Sequence, residues 1–183
     1  MLWRKLVPEE RADADARLNL LCLELMMDGR NALAKSLLDF ATEVLKRWST
    51  EVNRLLFVIN RAQVYKWLND EAACQKILCN EDWSAVDDKL CLGVAVLKDN
   101  FEEAVALMRK LGGGTYVDKD AYREWPIFKQ FRKTTEFRTA YKEIFGEDFT
   151  NAPEQNTITF QLDFGEQEAQ KKAPVSDSTS KPN

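Results

Sequence analysis

Apolar residues recur along most of this chain at three- and four-residue intervals, the period of an amphipathic helix. Leu18, Leu21, Cys22, Leu25 and Met26 form the first such series. Pro8-Glu9-Glu10 opens it, since proline fits a first helical turn and acids suit the positive end of the helix dipole. Gly29 ends it. A second helix is expected over about Asn31–Trp48, with Leu33, Leu37, Leu38, Phe40, Ala41, Val44 and Leu45 apolar. Ser49 or Thr50 then caps a third helix to about Leu68. Asn69-Asp70 makes a turn, Glu71–Leu78 a fourth helix, and Cys79–Ser84 a connector whose Trp83 folds back onto the core. Asp88–Leu111 reads as two antiparallel helices joined by Lys98-Asp99-Asn100 and ended by Gly112-Gly113-Gly114. Asp118 or Asp120 caps a helical turn that stops near Trp125, because the residue before Pro126 is steered away from helix. Short helices follow at Ile127–Arg132 and Glu136–Phe145, closed by Gly146. Beyond them Ile158, Phe160, Leu162 and Phe164 alternate with polar residues, the period of a strand.

Small residues fall where paired helices must approach closely. Cys22 faces Ala34, Ala62 faces Cys74 and Gly93 faces Ala104, at separations of 12, 12 and 11 residues. Leu25, Tyr65 and Val96 line up on the first helices, and Leu38, Leu78 and Met108 on the second. Three such units across residues 16–111 resemble the tetratricopeptide repeat, most closely in GVAVLKDNFEEAVALM. There Gly93, Val96, Phe101, Ala104 and Met108 take the repeat's Gly, Tyr, Tyr, Ala and Phe positions. The chain departs from that pattern in a third turn one residue short, in lacking the first-helix Trp and in lacking the closing Pro. The resemblance implies a TPR-like right-handed solenoid whose first helices line a groove for a partner's peptide or helix. In that register the groove side carries Asn19, Leu23, Met26, Met27, Gln63, Lys66, Trp67, Val94 and Lys98. The expected partner-binding residues are Asn19, Met26, Met27, Gln63, Lys66, Trp67 and Lys98. Adaptable methionines beside one aromatic anchor suit such a surface.

The segment Arg123–Phe145 interleaves six basic and three acidic residues with aromatic ones. It reads as a cap over the open end of the last hairpin, which a solenoid needs for solubility. The alternative is a nucleic-acid or phosphate site built from Arg123, Lys129, Arg132, Lys133, Arg138 and Lys142.

Composition narrows the function. The 183 residues are 45% hydrophobic and 31% charged with a net charge of −4, which argues against bulk attraction to nucleic acid or an acidic membrane. There is no histidine, so the commonest general base and most zinc sites are missing. No apolar run approaches the ~20 residues that span a bilayer. The acidic turn near the N-terminus interrupts any signal-peptide core. Cys22, Cys74, Cys79 and Cys91 sit in apolar helix faces without a CxxC pair, which fits a reducing cytoplasm. The expectation is an all-α protein of about seven helices. A domain at 1–146 has its cap at 117–146, a strand-like segment lies at 147–165 and a disordered tail at 166–183. It is read as a non-catalytic adaptor or regulatory subunit, with a protein partner and no metal or cofactor.

Overall fold

A computed structural model describes residues 7–45, 48–114 and 117–150. The strand expected at 157–164 and the tail at 166–183 lie outside the described residues. Within them the chain is all-α, with eight α-helices. These are α1 (Pro8–Met27), α2 (Asn31–Val44), α3 (Glu51–Trp67), α4 (Glu71–Cys79), α5 (Asp88–Leu97), α6 (Phe101–Leu111), α7 (Lys119–Glu124) and α8 (Thr135–Phe145). The helix expected at Ile127–Arg132 is instead two 3₁₀ turns, Pro126–Phe128 and Phe131–Lys133.

Short polar side chains start the helices by accepting from backbone N–H groups that have no partner in the first turn. Thr50 accepts from Asn53 N at 3.1 Å, Asp70 from Ala73 N at 3.0 Å and Asn100 from Glu103 N at 3.3 Å. Asp118 and Thr134 do the same for α7 and α8. α2 stops at Val44, short of the expected Trp48, because the residues that follow have tertiary partners. Leu45 turns to extended backbone and is buried. Trp48 lies 4.5 Å from the Phe57 ring. Ser49 donates to the buried Asp15 carboxylate from both its N–H (2.8 Å) and its hydroxyl (2.6 Å).

The first three hairpins turn in one way. Gly29, Asn69 and Asp99 are all left-handed, at φ 73°, 62° and 55°. In each turn the N–H of the next residue bonds a carbonyl five positions back: Arg30 to Leu25, Asp70 to Tyr65 and Asn100 to Ala95, at 2.8, 3.0 and 3.0 Å. The left-handed residue itself bonds three positions back, to Met26, Lys66 and Val96. This is the Schellman arrangement, which satisfies the last free carbonyls of a helix.

Aligning the units on that turn corrects the expected register. Leu92, not Gly93, takes the place of Cys22 and Ala62, and its separation from Ala104 is then 12 residues like the others. All six residues, with Ala34 and Cys74, are fully buried. The third turn is therefore not shortened. Gly93 faces elsewhere: a methyl group there would lie 3.0 Å from Ile127 Cδ1 and 3.8 Å from Ile59 Cγ2, on the following 3₁₀ turn and on α3.

α3 is the hub, packed against α1, α2, α4 and α5. The core divides into successive clusters along the chain. Cys22, Met26, Leu38 and Phe57 lie in the first, Leu55, Ala62, Leu78 and Leu90 in the second. The last joins α5 and α6 to the C-terminal aromatics Tyr122, Phe128, Phe131, Phe137 and Tyr141. Phe149 adds to it, 5.1 Å from both Phe137 and Tyr141.

Candidate functional site

α1 and α3 run in the same direction, with Asp15 bonded to Ser49 and Asn19 to Asn60, which sets their C-terminal ends on one edge with that of α5. Lys66 ties two of them. Its ammonium donates to Leu97 O at 2.7 Å and to Asp99 at 2.6 Å, with Glu71 at 3.7 Å. A cation on the last carbonyls of α5 is also favoured by the helix dipole.

This geometry sorts the seven expected binding residues. Met27 is 44% exposed, Lys98 is exposed, and Trp67 is half-buried against the first core cluster. These three share the turn edge. Lys66 lies beside them but is committed to Leu97 and Asp99. Asn19, Met26 and Gln63 are buried, at 4%, 2% and 2% exposure, and present no groove surface. Asn19 accepts from Asn60 Nδ2 at 2.6 Å across the α1–α3 contact, a partner 41 residues away. The Gln63 amide nitrogen is buried without a protein partner. Leu23 is half-buried and Val94 buried. Leu68, 39% exposed, joins the edge. The register holds the signal for it: the equivalent positions in the other turns are Asp28 and Lys98, so a leucine there is out of pattern.

The basic segment at the C-terminal end is largely engaged. Arg132 donates to Trp125 O at 2.8 Å and Tyr122 O at 3.2 Å, closing the end of α7. Burial pulls its guanidinium down to about 10, still charged at neutral pH. Lys142 pairs with Asp148, Arg123 donates to Thr150 and Lys133 to Gln130. Lys129 and Arg138 are exposed. Phe128, Phe131, Phe137 and Tyr141 are buried, so these rings offer no stacking surface for bases.

A cleft of about 160 Å³ lies between α2, α3 and α4, lined by Trp48, Arg54, Arg61 and Glu81 among others. Its arginines are neutralised: Arg54 by Glu51 and Glu81, Arg61 by Asp39 and Glu43. Among the described residues no group of three or more His, Cys, Asp or Glu could hold a metal. Burial pushes the Cys22 thiol up to about 12 and Cys74 to about 11, so neither is a thiolate at neutral pH. Cys79, expected inside, is exposed because it is the last residue of α4, past the apolar face. Among the described residues no helix is long and apolar enough to cross a membrane. No family model matches the chain, and no curated protein or solved structure matches it either.

Proposed function

We infer that the chain is a non-catalytic protein-interaction module, an adaptor or regulatory subunit, whose hairpins form a short TPR-like array. The observation that carries this reading is the turn edge. It groups the exposed Met27 and Leu68, the half-buried Trp67 and the exposed Lys98 at neighbouring helix ends, two of which Lys66 ties together. Three Schellman turns in one register and a core that runs in successive clusters support the array. Adaptable methionine beside an aromatic anchor suits a partner's peptide or helix. Four free cysteines fit a reducing, cytoplasmic setting.

Affinity capture with the intact chain from its native cell, repeated with Met27→Glu and Trp67→Ala, tests the edge. The expected result is loss of one partner from both variants, with direct binding to the purified partner weakened at least tenfold. An unchanged set of captured proteins removes this edge from the function.

A further inference from the structure

The two ends of the helical stack differ. Past α6 the chain closes its own core with the aromatic cluster of α7, the 3₁₀ turns and α8. At the other end the outer faces of α1 and α2 carry apolar residues that stay exposed in whole or in part. On α1 they are Ala14, Leu18 and Leu21; on α2, Leu33, Leu37, Phe40 and Val44, with Leu18 and Leu37 half-buried against the first core cluster. Both series step by four and three residues, the spacing with which one helix packs along another. None of the seven positions is charged, as in the centre of a protein interface. This face points away from α3, which meets α1 at Asn19 and α2 at Asp39.

We propose that this face pairs with the same face of a second copy of the chain in a closed two-fold dimer. Leu21, Leu33, Phe40 and Val44 are 45%, 46%, 50% and 39% exposed. With the half-buried Leu18 and Leu37 they leave about 400 Å² of apolar surface open, the size of the largest patch on a typical monomer. A standard interface covers about 800 Å² per partner, a little over half of it apolar, so two such faces match what a stable dimer needs. Head-to-tail stacking has no matching surface, because the aromatic cap closes the opposite end. A two-fold pairing therefore ends at two chains.

This surface is separate from the turn edge, so each stands or falls alone. Sedimentation velocity of the full chain across the micromolar range reads it directly. The wild type should sediment with twice the monomer mass, and Met27→Glu likewise. Phe40→Glu and Leu33→Lys should each give monomer, with the circular dichroism spectrum of a folded helical chain retained. A monomeric wild type, whether its face stays open or is covered by residues of its own chain, overturns the proposal. So does a dimer that survives both folded variants.

Discussion

Gly93 offers the sharpest test of how the third hairpin packs. An alanine there gains about 1 kcal/mol from helix propensity in mid-α5. Its methyl group would sit 3.0 Å from Ile127 Cδ1. Optimal carbon–carbon contact is about 3.5–4.0 Å, so the end of Ile127 must rotate away. An off-rotamer side chain costs about 0.5–1.5 kcal/mol. The two terms nearly cancel, and Gly93→Ala should fall within about 0.5 kcal/mol of wild type. Ile127→Val removes the Cδ1 carbon that is in the way. In that background Gly93→Ala should stabilise by the full propensity gain, a coupling of about 1 kcal/mol between the sites. Gly93→Leu pushes three more carbons toward Ile59 and Ile127 and should cost about 3 kcal/mol. Urea unfolding of the four chains of the cycle, followed by circular dichroism, measures this. Equal gains from Gly93→Ala in both backgrounds would mean that Gly93 does not face Ile127, and the packing described here would be wrong.

Other outcomes follow from the same contacts. Asn60→Ala strands the buried Asn19 carbonyl and should cost about 1–3 kcal/mol, while replacing both with leucine should recover most of it; a mild single variant would contradict the pair. In native protein Cys79 should react quickly with a disulfide reagent, while Cys22 and Cys74 react only after urea, since both are fully buried. Fast reaction at Cys22 or Cys74 would contradict that burial. Burial alone would raise the Asp39 pKa, but hydrogen bonds from Lys35 and Arg61 outweigh it and hold the carboxyl below its usual value. Its stabilisation is therefore complete above the unfolded value of about 4 and is lost as pH falls through the lower folded one. Asp39→Asn should flatten the acid limb of a stability–pH curve; an unaltered limb would remove Asp39 from it.

The sequence by itself determined the helices and most of their limits. Period, caps and stops are local: Thr50, Asp70, Asn100, Asp118 and Thr134 cap helices through bonds three residues long. Three edge residues, Met27, Trp67 and Lys98, were legible for the same reason, since they fall at helix ends marked by turns. What lies across from each face was decided only in three dimensions. Gly93 was assigned to Ala104 because hairpin neighbours are close in sequence, yet its space is filled by Ile127, 34 residues on. Asn19 and Gln63 read as surface because polar side chains prefer water. A polar group can be buried where a distant partner satisfies it, and Asn60 does so for Asn19. The open face of α1 and α2 was hidden in plain periodicity. Its leucines have the spacing of core residues, and a period gives the direction of a face without giving what covers it.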